Sequence, residues 1–290
     1  MQDGGVAITE VIEIRQKRIP HILARIPLFD PAGIVGIIVA VLIWQLSSYA
    51  MGDRVPTPQE VIANAFDNLF SSDHLPGIGL PRGGYMPHLL FTAYNVLLGG
   101  GVGALVGVFA GLVSAENKIV SEVADPIVSI LGTIPIVILA PFFLMWFGLS
   151  GTPQVALVAI YTATVLYLFA HRGAKNLPPS FADYAATLGA SATQRFLRVR
   201  LPGAMPEIFG GLRIAFSAAW GLSAVTEMLG GRLGSGRVLV ALRSVYDLTG
   251  IMAIVLLLGA FAILLDGVIL SVRLYVLRWA SFLPNGERSA

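Results

Sequence analysis

Four charged residues lie inside segments of the sequence that are otherwise apolar. Arg213 and Glu227 belong to one such segment, and Asp266 and Arg273 belong to another. Charged groups are expensive in a bilayer, so residues of this kind usually face a pathway or pair with one another. Asp266 is therefore expected to pair with Arg213 or Arg273. Glu227 is a candidate for the pathway or, equally, for a structural contact.

The residues needed for several other chemistries are missing from the sequence. There are no cysteines, which excludes disulfides, thiolate nucleophiles and cysteine-ligated metals. None of the lysines (Lys17, Lys118 and Lys175) follows a glycine, so no P-loop for binding ATP is recognisable. The histidines show no metal-ligand spacing. We therefore expect no catalytic residue, metal or cofactor in this chain, and no nucleic-acid partner.

The composition indicates a membrane protein. Of the 290 residues, 56% are hydrophobic and 12% are charged, and the mean hydropathy is +0.78. An ordinary soluble domain has roughly a quarter of its residues charged, and a disordered chain is far less hydrophobic. Because one helical span takes about 20 residues, we predict an all-α polytopic membrane protein with about six transmembrane helices.

The apolar runs locate these spans. From Pro126 to Ala170 there is no charged residue, which is about twice the length of one span, and turn residues at 148–153 divide it into a hairpin. The predicted transmembrane domain is 31–280, with spans at 33–51, 89–113, 126–148, 153–171, 207–229 and 251–276. A polar loop, 172–206, separates the fourth and fifth spans. An amphipathic segment, 1–30, precedes the domain, and a tail, 281–290, follows it.

The basic residues set the orientation of these spans. Most of them fall near the termini and in the loop 172–206, where Arg195, Arg198 and Arg200 are densest. By the positive-inside rule, this loop and both termini are predicted to be cytoplasmic. The few basic residues on the other side include Arg232, Arg237 and Arg243, which could attract anions or bind a partner protein.

Two spans carry residues that affect how helices pack. The second span has glycines spaced by four, at Gly99, Gly103, Gly107 and Gly111. Such a stripe allows a close neighbour, either in this chain or in a second subunit. Pro135 and Pro141 should each kink the third span, and carbonyls freed by a kink need protein or a water-filled cavity. A translocation path bent around 133–141 and a simple packing kink are both compatible with this pattern.

The polar loop contains strong local signals between residues 178 and 202. Two prolines should end the preceding helix, and Ser180 with Asp183 is predicted to form a capping box. Gly189 should end this short helix, and a second short helix should end before Pro202. The first helix has one apolar face, made of Phe181, Tyr184, Ala185 and Leu188. Such a face flanked by charges favours a protein partner, and a helix lying on the membrane surface is the alternative.

Residues 180–202, here called the coupling segment, resemble the coupling motif of ABC importer permeases. That motif reads Glu-Ala-Ala, three residues, Gly, nine residues, and Ile-x-Leu-Pro. The matching positions are Asp183-Tyr184-Ala185, Gly189 and Val199-Arg200-Leu201-Pro202. Both gaps match, whereas Tyr184 departs from the family's alanine. The resemblance extends over roughly residues 85–280. Within that range Gly211-Leu212-Arg213 and other positions are similar to the nitrate/taurine/sulfonate branch of these permeases.

The resemblance implies a type I ABC importer permease bundle with a cytoplasmic coupling helix, in a bacterial or archaeal inner membrane. Two permease copies, expected to be a homodimer, would form the path. Two separate ATPase subunits would bind Mg-ATP, and an extracytoplasmic solute-binding protein would deliver a small, usually anionic solute. The implied ATPase-coupling residues are Ser180, Asp183, Tyr184, Ala185, Leu188, Gly189, Val199, Leu201 and Pro202.

Two other functions remain open at this point. The first is a secondary, ion-coupled transporter that uses Glu227 and Asp266, for which inverted repeats are expected but none is evident. The second is a membrane-embedded enzyme, for which acidic and histidine side chains should cluster at one depth, whereas here they are dispersed. Neither alternative explains the coupling segment.

Overall fold

The computed structural model describes residues 31–279, and within that range every regular element is a helix. The segment 1–30 and the tail 281–290, interpreted above as cytoplasmic, lie outside the described residues. The α-helices are α1 (Pro31–Met51), α2 (Pro58–Asp67), α3 (His74–Gly77), α4 (Met86–Glu116), α5 (Lys118–Thr133), α6 (Ala140–Phe147), α7 (Thr152–Lys175), α8 (Pro179–Thr187), α9 (Ala192–Arg195), α10 (Leu201–Gly230), α11 (Ser235–Ser244) and α12 (Leu248–Val276).

The chain divides into two compact units, one ending at Gln59 and the other beginning at Glu60. In the first unit, α1 is apolar on all sides and almost wholly exposed, as expected of a helix that faces lipid. Trp44 Nε1 donates a hydrogen bond to the Pro56 carbonyl at 3.0 Å, and Ser48 Oγ donates to the Val55 carbonyl at 2.7 Å. These bonds fold the chain after α1 back onto the helix.

Five described helical stretches are long and apolar enough to cross a membrane, and a bent pair of helices could form a sixth span. Four of the five belong to the second unit: α4, α7, the continuous stretch from Ala192 to Gly230, and α12. The bent pair consists of α5 and the helical residues Ile136–Phe147, at an angle of 87°. The prediction of an all-α bundle with about six membrane helices is therefore confirmed.

The third span differs from the prediction of one helix over 126–148. Its first part, α5, begins at Lys118, carries Pro126 within it and ends at Thr133. Ile134 is extended, because the residue before a proline avoids the helical region, and the chain bends there into a short 3₁₀ turn, Ile136–Leu139. Pro135 thus marks the break. Pro141 lies in the first turn of α6, where a missing N–H costs little, so it starts a helix rather than kinking one.

The fifth span is also longer than the predicted 207–229. The second short helix does not end before Pro202, because α9 continues through a π turn, Phe196–Arg200, directly into α10. The Leu201 N–H bonds the Phe196 carbonyl, five residues back. Pro202 lies in the first turn of α10, a position that a proline tolerates. The coupling segment is therefore joined to this span without a break in helical structure.

The glycine stripe forms the seam between α4 and α7. A Cβ atom added to any of the four glycines would lie 2.4–2.6 Å from a carbonyl oxygen of α7. Gly99, Gly103, Gly107 and Gly111 face, in order, the carbonyls of Val155, Ala159, Ala163 and Tyr167. The two rows keep the same four-residue spacing, so the backbones touch along four turns. The stripe therefore serves packing within this chain.

Candidate functional site

The coupling segment begins with α8, which starts earlier than its sequence predicted. Pro178 is the N-cap residue, with an extended ψ of 131° and no side-chain cap, and Pro179 opens the helix. A proline at the first helical position already has a helical φ, so the helix starts there and Ser180 falls inside its first turn. The predicted capping box of Ser180 and Asp183 is therefore wrong. A capping box does occur at α9, between Ser191 and Gln194.

Gly189 ends α8 in a left-handed turn. Its φ is +81°, its N–H donates to the Ala186 carbonyl at 2.9 Å, and the Ala190 N–H donates to the Ala185 carbonyl at 3.0 Å. This pair of bonds is the Schellman motif, in which glycine is favoured because other residues are strained at positive φ. The glycine of the recognised motif therefore makes the turn between α8 and α9.

One apolar surface of α8 and its C-cap residue, Leu188, is left uncovered. Phe181, Tyr184 and Leu188 are 54%, 69% and 88% exposed. Ser180 and Asp183 are exposed as well, and Ala185 is half-buried. Large apolar side chains this exposed on a short helix indicate a binding surface when they form one patch.

The base of the coupling segment is, by contrast, packed against the membrane helices. Phe196 and Leu201 contact a buried cluster that joins α4, α7 and α10. Its members are Leu112, Ala170, Ala174, Ala204 and Ile208. Gly203, one residue after Pro202, approaches Leu177 so closely that an added Cβ would lie 2.7 Å from the leucine Cδ1. Val199 is half-buried in the π turn. The coupling segment therefore has an exposed tip, which is α8, and a base, residues 196–202, that packs against the membrane helices.

Arg213 and Asp266 join α10 to α12 within the membrane domain. Arg213 Nε lies 2.7 Å from Asp266 Oδ1, and Arg213 Nη2 lies 2.8 Å from Asp266 Oδ2. This is the two-pronged geometry that makes an arginine–carboxylate pair strong and specific. Arg273, the other candidate partner, makes no ion pair with any residue in the range 31–279. The pair is partly open, with side-chain exposures of 42% and 33%.

Glu227 lies in a closed polar network near the end of α10. It is 1% exposed. Thr92 Oγ1 and the Gly236 N–H donate to Glu227 Oε2 at 2.9 and 3.0 Å, and Ser223 Oγ donates to Glu227 Oε1 at 3.2 Å. The Ser235 N–H donates to Thr92 Oγ1 at 2.9 Å. In this conformation the carboxylate therefore ties α4, α10 and the start of α11 together and does not line an open path.

The glycine-rich loop after α10 is shaped around this carboxylate. At Gly234, with φ +109°, an added Cβ would lie 2.3 Å from Glu227 Cδ, and at Gly236 it would lie 2.0 Å from the Ala224 carbonyl oxygen. His88 Nδ1 accepts from the Gly234 N–H at 3.2 Å. Any side chain at these glycines would push the loop off the network, which accounts for the glycines at these positions.

A second polar network was not anticipated from the sequence. Tyr167 Oη donates to Asp125 Oδ1 at 2.5 Å, and Ser121 Oγ donates to Asp125 Oδ2 at 2.6 Å. Ser114 Oγ lies 2.6 Å from Tyr167 Oη. These residues link α4, α5 and α7. Asp125 directly precedes the charge-free run that begins at Pro126, so the predicted third span, 126–148, does not include it.

At the Glu227 end of the bundle, α4 and the neighbouring loops line an open cavity of about 390 Å³. Its lining is Phe91, Leu149, Ser150, Gly151, Arg232 and Leu233. Arg232 is one of the arginines that the sequence suggested for attracting anions. Among residues 31–279, no three His, Asp or Glu side chains are placed to hold a metal ion.

The helical bundle has the fold of a type I ABC importer permease. The bundle superposes on a chain of the MetNI methionine ABC transporter, solved in an inward-facing conformation, with a TM-score of 0.61. Sequence identity is 18%, and the match covers 71% of this chain and 99% of the other. At that identity the likeness shows the fold. Residues 103–279 match the family described as the binding-protein-dependent transport system inner membrane component. This match covers more than half of the chain, which therefore belongs to that family.

Curated relatives refine the placement within the family. The formylaminopyrimidine transport permease protein of Halalkalibacterium halodurans is 27% identical, over 77% of this chain and 85% of its own length. The putative aliphatic sulfonates transport permease protein of Bacillus subtilis is 25% identical, over 83% and 84%. Permeases named for nitrate import and for taurine transport also match. The chain is thus an ABC importer permease subunit of the nitrate/sulfonate/taurine branch, embedded in the inner membrane.

Membership of this family settles the alternatives left open above. A permease subunit of an ABC importer does not itself catalyse a reaction, so the membrane-embedded enzyme is not supported. The ion-coupled secondary transporter is not supported either. Glu227 and Asp266, which that hypothesis would have used, lie in separate networks with different partners.

Proposed function

We propose that this permease is moved by a separate ATPase that binds the tip of the coupling segment. Two ATPase subunits, a second copy of this chain and an extracytoplasmic solute-binding protein complete the importer. The observation that carries the proposal is the uncovered apolar surface of α8, where Leu188 is 88% exposed. The basic residues that follow α8 support a cytoplasmic location for it by the positive-inside rule.

In the proposed assembly, the partner ATPase supplies the energy, and the tip, the Gly189 turn and the base of the coupling segment transmit the movement. Mg-ATP is bound and hydrolysed in the partner, which supplies the energy. The α8 tip binds a groove on that partner, and the Gly189 turn fixes the direction in which the tip points. The base, through Phe196 and Leu201, passes movement of the tip to the inner ends of α4, α7 and α10.

The solute is proposed to be a small anion. The relatives named for aliphatic sulfonates, nitrate and taurine support this, and so does Arg232 in the wall of the cavity at the far end of the bundle. A cation in a cavity raises the local concentration of anions. A formylaminopyrimidine is the second candidate, because a relative that covers most of this chain is named for it.

Binding of the ATPase is tested by substituting the tip of α8. The Leu188→Asp variant should weaken copurification of the ATPase about tenfold or more, because it places a charge at the centre of the apolar contact. Thr193→Asp is the matched control, since Thr193 is also exposed but lies on α9. Equal recovery of the ATPase with both variants would refute the proposed binding surface. Membrane levels of each variant are measured to exclude misfolding.

The solute is tested by uptake in cells that express the complete importer. Labelled taurine, ethanesulfonate, nitrate and formylaminopyrimidine are compared, each with and without ATP depletion. ATP-dependent uptake of ethanesulfonate, of nitrate or of taurine, a zwitterion that carries a sulfonate group, supports the first candidate, and uptake of formylaminopyrimidine alone supports the second. Substituting Arg232→Gln should reduce uptake of an anion more than uptake of the uncharged compound.

A further inference from the structure

Arg200 joins the base of the coupling segment to the ends of two membrane helices. Its Nε lies 2.7 Å from Glu116 Oε1, and its Nη1 donates a hydrogen bond to the Ala174 carbonyl at 3.0 Å. Glu116 is the last residue of α4, and Ala174 is the last but one of α7. Arg200 itself is the last residue of the π turn that leads into α10. One guanidinium therefore links the C-terminal ends of α4 and α7 to the base of the coupling segment.

The chemistry of these helix ends explains why a cation is suited to the position. The last turn of any helix leaves carbonyl groups without a helical partner, and the helix dipole makes that end partly negative. At α4 the carboxylate of Glu116 adds a further negative charge. The side chains of Arg200 and Glu116 are 22% and 39% exposed, so water screens the ion pair only in part. A guanidinium has donors on several edges and can serve both partners at once, which a lysine ammonium does less well.

The neighbouring basic residue does not share these contacts. Arg198 lies in the same π turn but is exposed, and it makes no ion pair with any residue between 31 and 279. Its charge therefore contributes to the general basic character of the segment. Arg198 is a natural control, because it has the same chemistry two residues away.

We propose that Arg200 is the positioning residue that transmits movement of α8 to the inner ends of α4 and α7. This inference rests on the proposed binding of α8 to an ATPase. The apolar contacts of Phe196 and Leu201 attach the base to the bundle, but apolar contacts have no preferred direction and allow sliding. The hydrogen bonds of Arg200 fix the register between the base and the two helices, so a displacement of the base displaces the helices with it.

The test uses the complex of permease and ATPase in lipid nanodiscs. Because the chain has no cysteine, a single Ser150→Cys substitution gives a reporter in the exposed loop between α6 and α7. With native Arg200, Mg-ATP and vanadate should change the rate of maleimide labelling at this position about fivefold. The Arg198→Gln variant should keep that change. The Arg200→Gln variant should lose it, while the ATPase still copurifies and still hydrolyses ATP.

A second set of variants separates transmission from folding. Glu116→Gln should show the same loss, and combining Arg200→Glu with Glu116→Arg should restore part of the labelling change. A native response in Arg200→Gln would overturn the inference. Loss of the ATPase from that variant would also overturn it, because Arg200 would then belong to the binding surface. Loss of folded protein in Arg200→Gln, in Glu116→Gln and in the double variant would assign Arg200 a structural role only and overturn the inference. If Ser150→Cys shows no response to ATP with native Arg200, the proposed coupling to an ATPase fails instead.

Discussion

At the scale of single residues, three of the four charges that the sequence places within the spans have specific partners, and Arg273 makes no ion pair with any residue in the range 31–279. Arg213 binds Asp266 through two hydrogen bonds, and Glu227 accepts hydrogen bonds from hydroxyl and backbone donors. Both carboxylates therefore have partners. An unpaired carboxylate that faces hydrocarbon would cost several kcal/mol. The two sites differ in exposure, because the ion pair is partly open and the Glu227 network is closed.

Removing one member of the ion pair should destabilise the protein. The Asp266→Asn variant leaves Arg213 without its counter-charge and is expected to lower the free energy of unfolding by about 2 kcal/mol. Partial exposure keeps this below the cost for a fully buried pair. The thermal midpoint of the detergent-solubilised protein measures the change. A double variant, Arg213→Met with Asp266→Leu, should recover most of the loss, and a double variant as unstable as the single one would contradict this explanation.

The sequence predicted which residues carry charge into the membrane but could not assign all their partners. Asp266 had two candidate arginines, and helix spacing alone made Arg273 an awkward partner, since two turns separate them by about 10 Å. The partners of Glu227 are hydroxyl groups with no spacing signal. Thr92 is 135 positions away in the sequence, so only the folded chain brings it to the carboxylate.

At the scale of helices, close approach of backbones organises the bundle. The four glycines of α4 lie against successive carbonyls of α7, and no side chain separates the two helices there. Contact of this kind favours association in a membrane, where lipid tails are as apolar as leucine and the hydrophobic effect contributes little. Packing density along the seam, and not burial from water, therefore holds the pair together.

A single added methyl group should distinguish the seam from the rest of α4. Gly103→Ala puts a Cβ 2.4 Å from the Ala159 carbonyl oxygen and is expected to destabilise the protein by about 2 kcal/mol. Gly101→Ala is the control on the same helix, because a Cβ there has no atom within 4 Å. That change should be neutral or slightly stabilising. The thermal midpoints of unfolding of the two variants are compared. Equal midpoints would show that α4 and α7 can move apart at the seam without loss of stability.

Helix ends were predicted well where a single residue decides them and less well where two signals compete. Gly189 ends α8 as expected, because its left-handed turn excludes other residues. At the start of the same helix, Pro179 preceded Ser180 and took the first helical position. Pro135 was correctly associated with a bend, whereas the helix before it extended back to Lys118 and accommodated Pro126.

At the scale of the whole molecule, the coupling segment and the cavity bounded by Arg232 lie at opposite ends of α10. The helix spans Leu201–Gly230, with the anchored base at one end and the Glu227 network at the other. At 1.5 Å per residue its length is enough to cross the bilayer. The positive-inside rule assigns the coupling end to the cytoplasm, so the cavity is expected to open on the outer side.

This orientation is tested by labelling single cysteines in the naturally cysteine-free chain. Ser150→Cys should react with a membrane-impermeant maleimide in right-side-out vesicles, and Ser191→Cys should react only in inside-out vesicles. Both serines are exposed, so the side of the membrane decides whether the reagent reaches them at all. The reverse pattern would invert the topology and remove α8 from the compartment that contains ATP.

One continuous helical stretch, Ala192–Gly230, connects the coupling segment directly to the loop around Glu227. Its 39 residues run from the capping box beside the Gly189 turn to the residue before the loop that wraps Glu227. The stretch contains a π turn, Phe196–Arg200, and two prolines, Pro202 and Pro206, yet it stays helical throughout. We therefore expect a tilt imposed at the coupling segment to be carried along this helix to the loop around Glu227, so that movement at one end of the permease changes the other end as well.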